Sequence, residues 1–138
     1  GRMASGGPNE VWSYGETLYE MCRKYMFLRE RLRPYITGLM QDAHEKGTPV
    51  IRPMFYDFPE DKNCWTLDGQ YMFGGSLLVA PVMEAGQRTK TVYLPAGTWY
   101  NAWTGEAVEG GRTVEADAPL TVIPVYTRDA GLLGVFKG

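Results

Sequence analysis

The stretch GTPVIRPMFYDFPEDKNCWTLDGQYMFGGSLLVAPV, residues 47–82, decides the fold. Its first part, residues 49–55, predicts a strand buried on both faces, because apolar side chains fall on both sides of it. An acidic, aromatic loop follows, and a second apolar strand is predicted over residues 76–82. A strand that opens into a loop rich in carboxylates and aromatic rings is typical of a site that handles sugars.

A long amphipathic helix is predicted before this strand, over residues 16–46. Apolar residues recur there at steps of three and four, with charged residues mostly between them. Gly47 supplies the stop at the end of the helix. Pro34 removes a backbone donor and clashes with the preceding turn, which predicts a kink or two abutting helices near Arg33. Residues 1–15 contain a cluster of turn formers and are predicted to form a loop.

The character of the chain changes after residue 75. Short apolar runs alternate with Gly, Pro and Asp turns at intervals of about ten residues, which predicts an antiparallel β-sandwich. A short helical turn is predicted just before the change, at residues 70–73. The predicted domains are therefore residues 1–75 and residues 76–138. The predicted strands lie at residues 76–82, 90–94, 98–103, 112–117, 120–127 and 131–136.

The first domain is incomplete by itself. One helix and one doubly buried strand cannot form a parallel sheet, because such a strand needs neighbours on both sides. Three sources of neighbours are open: sequence upstream of this chain, a second copy of the chain, or the β domain that follows. The fold class is thus α+β.

The composition bounds the class of protein. A chain of 138 residues suits one domain, or a small domain with a piece of another. The aromatic share of 13% fits either a β-rich core or a surface that stacks on sugar rings. The net charge of −2 without a basic stripe argues against a nucleic-acid partner. The sequence contains no apolar stretch of about 18 residues, so it predicts no membrane span.

Cysteine and histidine usage supports neither a zinc site nor redox chemistry. Cys22 and Cys64 lie far apart and form neither a CxxC pair nor a Cys/His cluster. His44 is the single histidine and is expected to cap or pack at a helix end. No signal-peptide pattern is visible near the N-terminus, which in a fragment says nothing about the compartment. The compartment is unknown, with a cytoplasmic location favoured.

Five short motifs occur in order along the chain: GTPVIRPM, FPED, QYMFGGSLLVAPV, YLPAGTWYNAWTG and IPVYTRD. Together they resemble the C-terminal part of a family 31 glycoside hydrolase, the α-glucosidase and α-xylosidase family. The resemblance covers nearly the whole chain. It implies that residues 1–75 end a (β/α)8 TIM barrel, with a long helix and the last strand. Residues 76–138 would then be the proximal C-terminal β-sandwich.

The resemblance also implies a fragment whose partner is the remainder of the barrel, encoded upstream. Family members are retaining α-glycosidases, which use one carboxylate as a nucleophile and a second as acid/base. The family motifs that carry these two aspartates do not occur in this sequence. We therefore expect no catalytic residue in this chain, and the resemblance implies no metal or organic cofactor. The intact enzyme would cleave terminal α-linked xylose or glucose from an oligosaccharide substrate.

Phe55, Tyr56 and Asp57 are the candidates for the edge of a substrate pocket, because they lie at the C-terminal end of the predicted strand. The alternative is that the two rings pack against another domain and that Asp57 bonds within the loop. Arg52, in the same buried strand, must have a partner, since an unpaired buried charge is costly. We expect that partner to form an ion pair with it.

Trp99, Tyr100 and Trp103 support an alternative function, that of a carbohydrate-binding β-sandwich whose rings stack on sugar. Against it stands packing of the same rings in the core or between domains. A third reading is structural: the isolated chain self-associates to cover its apolar surface.

Overall fold

A computed structural model describes residues 8–119 and 122–137 of the chain. The first 57 residues form three helical segments and one short strand, and a series of short strands follows. The elements are α1 (Pro8–Arg31), α2 (Arg33–Lys46), β1 (Ile51–Arg52), α3 (Met54–Asp57), a 3-10 helix (Lys62–Cys64), β2 (Tyr71–Phe73), β3 (Leu77–Val79), β4 (Thr89–Leu94), β5 (Thr98–Asn101), β6 (Ala107–Glu109), β7 (Arg112–Asp117), β8 (Val125–Thr127), a second 3-10 helix (Ala130–Leu132) and α4 (Leu133–Phe136).

The predicted helix is confirmed, but it begins earlier than expected. Helix α1 starts at Pro8, so the predicted loop is wrong from that residue onward, and residues 1–7 lie outside the described residues. Proline is well suited to the first helical position, where its missing N–H has no intrahelical partner to lose. The predicted break is confirmed at Leu32, between α1 and α2. Gly47 ends α2 at φ 71°, a conformation that glycine adopts without strain.

All strand pairs among the described residues are antiparallel, as predicted for the second half of the chain. A six-stranded sheet has the order β1-β2-β3-β8-β5-β6, and a two-stranded sheet pairs β4 with β7. The larger sheet runs through residue 75 without a break, with β2 before that position and β3 after it. The division into domains at residue 75 therefore stays a prediction.

Strand β3 is buried on both of its faces. Leu78 is in register with Met72 and Tyr126, and these side chains form the core between the two sheets. Leu77 lies in a second core, where the opposite face of the larger sheet meets α1 and α4. Burial of each of these leucines stabilises the fold by roughly 1.5–3 kcal/mol. The members of the first core from the two-stranded sheet are Val92, Leu94 and Ala116.

The predicted strand at residues 49–55 is wrong in length and in burial. Strand β1 contains only Ile51 and Arg52, and Ile51 is 61% exposed. Pro53 explains the early end, because it has no N–H for the sheet and its φ of −65° leads directly into α3. The strand that is buried on both faces is β3, which the sequence predicted only as an apolar strand.

Two shorter predictions are also wrong. Residues 71–73 form β2 and not a helical turn, with Met72 buried in the core. The predicted strand at residues 131–136 is a 3-10 helix followed by α4. The side chain of Asp129 accepts a hydrogen bond from the Gly131 N–H at 2.8 Å and so starts that turn. A short apolar run does not by itself distinguish a strand from a buried helix.

Over residues 8–119 and 122–137, no helix combines the length and the apolar character that crossing a membrane requires.

Replacement of Gly110 by alanine tests the packing of the turn before β7. A Cβ at this position would overlap the carbonyl oxygen of Pro95, so the backbone must move, and we expect a loss of about 1–3 kcal/mol in the free energy of unfolding. Gly38→Ala is the control: it lies in α2 with open space around it, and alanine there should raise stability by about 0.5–1 kcal/mol. Urea unfolding measures both. A neutral Gly110→Ala variant would contradict the described turn.

Candidate functional site

The acidic loop begins with a buried ion pair between β1 and α3. Arg52 Nη1 lies 2.8 Å from Asp57 Oδ1, and the two side chains are only 8% and 12% exposed. Arg52 Nε also donates to the carbonyl oxygen of Pro49 at 3.1 Å, and the guanidinium lies 5.0 Å from the centre of the Tyr56 ring. The prediction that Arg52 has an ion-pair partner is confirmed. Because both members are buried, the pair fixes α3 relative to the end of the sheet.

The three candidates for a pocket edge stand in different environments. Asp57 is directed inward, and its second oxygen, Oδ2, is buried without a hydrogen-bond partner in the described structure. Phe55 and Tyr56 are about half exposed on the same short helix. The structure thus places Asp57 in an internal ion pair and leaves the two rings at the surface. A role at the edge of a substrate pocket stays a prediction for all three.

The rest of the loop is held against β4. Asp61 Oδ1 accepts from the Asn63 N–H at 3.0 Å, which begins the 3-10 helix, and Asp61 Oδ2 accepts from the Tyr93 hydroxyl at 2.6 Å. Gln70 forms two hydrogen bonds with the backbone of Tyr93, at 2.8 and 2.9 Å. These bonds tie both ends of the loop to one residue of β4.

A groove of about 640 Å³ lies between this loop and the turn after β4. Two of the carboxylates in its lining already have partners, since Asp57 binds Arg52 and Asp61 binds Tyr93. Over the described ranges, no group of three or more histidine, cysteine or acidic side chains is placed to hold a metal ion. The lining residues are Asp57, Phe58, Pro59, Glu60, Asp61, Lys62, Pro95 and Ala96.

Trp99, one of the residues predicted to stack on sugar, is completely buried. Its indole N–H donates to the carbonyl oxygen of Pro95 at 2.8 Å, and the Phe58 ring packs against it with centroids 6.0 Å apart. A stacking residue needs an exposed ring face, and Trp99 has none. The burial therefore corrects the stacking prediction for this residue, which is part of the core between the sheets.

Trp103 and Tyr100 are half-buried. The indole N–H of Trp103 donates to the Ile123 carbonyl at 2.7 Å, and the edges of Tyr25 and Phe136 pack against its ring. The ammonium of Lys24 lies 4.3 Å from the ring centre, and burial there lowers the pKa of Lys24. These are packing contacts. Stacking of a sugar on Tyr100 or Trp103 stays a prediction.

Trp65 is an exposed aromatic residue of the acidic loop that our sequence analysis did not single out. It is 62% exposed, and its indole N–H donates to the Pro59 carbonyl at 2.9 Å, which fixes the ring orientation. With Phe55 and Pro59 it lines an apolar groove of about 390 Å³. The available signal was its position in a loop that also carries Asp61, Lys62, Asn63 and Asp68.

Comparison with known families gives the class of protein. The family described as glycosyl hydrolase family 31 C-terminal domain matches residues 47–133. This chain belongs to that family, as its motifs suggested.

The relatives are much longer enzymes. An α-xylosidase of Saccharolobus solfataricus is 39% identical over 127 residues, which are 91% of this chain and 17% of that protein. Alpha-glucosidase 2 of Bacillus thermoamyloliquefaciens is 33% identical over 126 residues, 91% of this chain and 16% of that protein. A crystal structure of a family 31 α-xylosidase from a soil metagenome, complexed with xylose, has 47% identity and a TM-score of 0.84, covering 96% of this chain and 20% of that chain. The chain thus spans about one sixth of the length of these two curated relatives.

The ion pair can be tested by neutralising one partner. Asp57→Asn leaves the Arg52 guanidinium buried without its counter-charge, so the free energy of unfolding should fall by about 3–5 kcal/mol. The control, Asp42→Asn, breaks the exposed pair with Lys46 at 3.6 Å, and there the change should stay below about 1 kcal/mol. Urea unfolding compares the variants. Equal effects in both would show that the Arg52–Asp57 pair is not effectively buried.

Cys64 makes stability depend on pH in the alkaline range. Burial, and after it the negative charge of Asp61, raises the pKa of the Cys64 thiol from 9.0 to about 11. Between these values the folded state keeps a proton that the unfolded state has lost. The contribution to stability is therefore full below pH 9.0 and is lost as the pH rises to about 11.

Urea unfolding across this pH range should show a smaller fall in stability for Cys64→Ala than for the parent chain. Part of the fall in stability should remain in both proteins, because three tyrosines also have raised pKa values in the folded state. They are Tyr25, Tyr93 and Tyr126. Cys22→Ala, at an exposed cysteine, is the control and should leave the slope unchanged. Identical slopes for Cys64→Ala and the parent chain would contradict the assignment.

Proposed function

We propose that this chain is the non-catalytic C-terminal portion of a retaining α-glycosidase that removes terminal α-linked xylose or glucose from oligosaccharides. Membership of the family supports the class of enzyme. The α-xylosidase and α-glucosidase relatives support the two sugars, and their far greater length supports the status of a fragment. The sequence does not discriminate between xylose and glucose.

The observation that carries this proposal is that the carboxylates best placed for catalysis are already bound. A retaining glycosidase needs two carboxyl groups about 5–5.5 Å apart, one nucleophilic and one able to give and take a proton. Asp57 neutralises Arg52, and Asp61 accepts a hydrogen bond from the Tyr93 hydroxyl. Both carboxylates thus make structural contacts within this chain, which supports a catalytic pair in the part of the enzyme outside it.

In this proposal the chain has a structural role, because its contacts hold the acidic loop in a fixed position. The ion pair and the Tyr93 hydrogen bonds fix the acidic loop on the sheet, and the loop presents Phe55, Tyr56 and Trp65 at the surface. In this proposal α1, α2 and β1 are the last helical segment and the last strand of a (β/α)8 barrel. The exposure of Ile51 on the edge strand β1 supports that arrangement, because an open edge invites a neighbouring strand.

The contacts of the aromatic rings do not support the alternative function of a carbohydrate-binding module. It depended on three aromatic rings, of which Trp99 is buried, while Trp103 packs under Lys24.

Hydrolysis of aryl α-xyloside and aryl α-glucoside tests the proposal. We expect no turnover by the 138-residue chain and turnover by a protein that also contains the upstream sequence. The preferred aryl glycoside then identifies the sugar. Turnover by the chain alone would sink the claim that catalysis lies outside it. Inactivity of both proteins on both glycosides would contradict the assignment of substrate.

A further inference from the structure

The Trp65 ring is exposed on the acidic loop but is held in one orientation. Its indole N–H donates to the carbonyl oxygen of Pro59 at 2.9 Å, while 62% of the residue stays exposed. Because this hydrogen bond occupies the one polar group of the indole, the exposed part of the ring is apolar. A rigid aromatic ring loses little conformational entropy when a ligand packs against it. Trp65 is therefore preorganised to contact an apolar surface of a ligand.

Trp65 shares its groove of about 390 Å³ with Phe55 and Pro59. This volume falls within the range of small-molecule sites, roughly 300–1,000 Å³. Phe55 lies on α3 and follows β1 closely, so the groove is at the C-terminal end of that strand. The proposed function makes β1 the last strand of a barrel, and barrel enzymes bind substrate at the C-terminal ends of their strands. In that arrangement the groove lies on the face of the barrel that receives substrate.

The chain is firmly held on both sides of Trp65. Cys64, directly before it, is completely buried in the core between the sheets. Gln70, which follows it along the chain, forms two hydrogen bonds with the backbone of Tyr93, at 2.8 and 2.9 Å. A binding group that is supported in this way keeps its position when the ligand is absent. Trp65 thus differs from an exposed side chain on a loop that has few contacts.

Charged side chains border the adjoining groove of about 640 Å³, which also includes Pro59. Glu60 and Lys62 are exposed there, and neither takes part in an ion pair among the described residues. A carboxylate accepts hydrogen bonds from hydroxyl groups, and an ammonium donates hydrogen bonds to them. Residues 57–68 contain four acidic residues and one basic residue, a net charge of −3. This charge complements a neutral ligand rich in hydroxyl donors and repels an acidic one.

We propose that Trp65 and Phe55 stack on the leaving-group sugar of the substrate, the ring that is linked to the terminal xylose or glucose. The proposal rests on the proposed function, because that function supplies the oligosaccharide. A pyranose ring has an apolar face of C–H groups, which matches the aromatic groove, and an edge of hydroxyl groups, which matches Glu60 and Lys62. In this proposal the terminal sugar binds beside the catalytic carboxylates, outside this chain. Trp65 is then a specificity-determining residue for the leaving group.

Substrates with and without a leaving-group sugar test this role in the longer protein, the one that also contains the upstream sequence. Maltose and α-xylosyl-glucose each carry a glucose as leaving group, whereas α-glucosyl fluoride and α-xylosyl fluoride carry no leaving sugar. In Trp65→Ala the ratio of kcat/KM for a disaccharide to kcat/KM for the matching fluoride should fall by about tenfold or more, because binding of a non-reacting ring stabilises the transition state.

Two further variants are the controls. Trp65→Phe keeps an aromatic ring and should recover most of this ratio. Thr66→Ala changes the exposed neighbour of Trp65, which lines neither groove, and should leave the ratio at the parent value. Thermal unfolding of the three variants shows whether the ring also contributes to stability.

Binding is measured independently of hydrolysis. Sulfur-linked analogues of the two disaccharides resist hydrolysis and keep the leaving-group ring. Calorimetric titration of the longer protein with these analogues should give a Kd about tenfold higher for Trp65→Ala than for the parent.

The two measurements separate this proposal from the proposed function. An active longer protein in which Trp65→Ala changes neither the substrate ratio nor the Kd refutes the stacking role alone. An inactive longer protein in which Trp65→Ala weakens binding of the analogues refutes the enzymatic activity alone. Equal losses on disaccharides and fluorides, together with a lower thermal midpoint, would overturn stacking and assign the ring to packing against neighbouring protein. Dissociation of an oligomer in Trp65→Ala would overturn it in favour of contact with a second copy.

Discussion

Burial of β3 on both faces is the constraint on which the rest of this structure depends. Leu78 contributes to the core between the two sheets, and Leu77 contributes to the core beneath α1 and α4. A strand with apolar side chains on both faces needs a layer on each side. The two-stranded sheet and the helices provide those layers, so the three-layer arrangement follows from one short run, Leu77–Val79.

The ion pair and hydrogen bonds of the acidic loop stabilise its conformation, although its composition is typical of a sugar-binding site. Arg52 cannot be buried alone at the edge of the sheet, and Asp57 supplies the charge that it requires. Asp61 and Gln70 then fasten the remaining loop to Tyr93. The carboxylates that made this loop resemble a catalytic site are the groups that hold it in shape.

The apolar surfaces that remain exposed agree with the proposal that this chain is part of a larger protein. Tyr19, Met26 and Phe27 on α1, and Phe55 and Trp65 around the acidic loop, lie outside both cores. Each lies next to an element that is well packed on its other side. This is the arrangement expected of one portion of a larger domain whose interior is shared with neighbouring sequence.

The sequence by itself determined the helix, its break before Pro34, its end at Gly47, the antiparallel character of the second half and the family. These depend on local chemistry: a missing N–H, a left-handed glycine, apolar residues at fixed spacing and short motifs. Only the tertiary structure decided which strand is doubly buried, that Asp57 is the partner of Arg52, and that Trp65 is exposed where Trp99 is buried. It also revealed β6, a short strand of Ala107–Glu109 that pairs with β5. Burial and pairing depend on residues distant in the chain, so no local pattern could fix them.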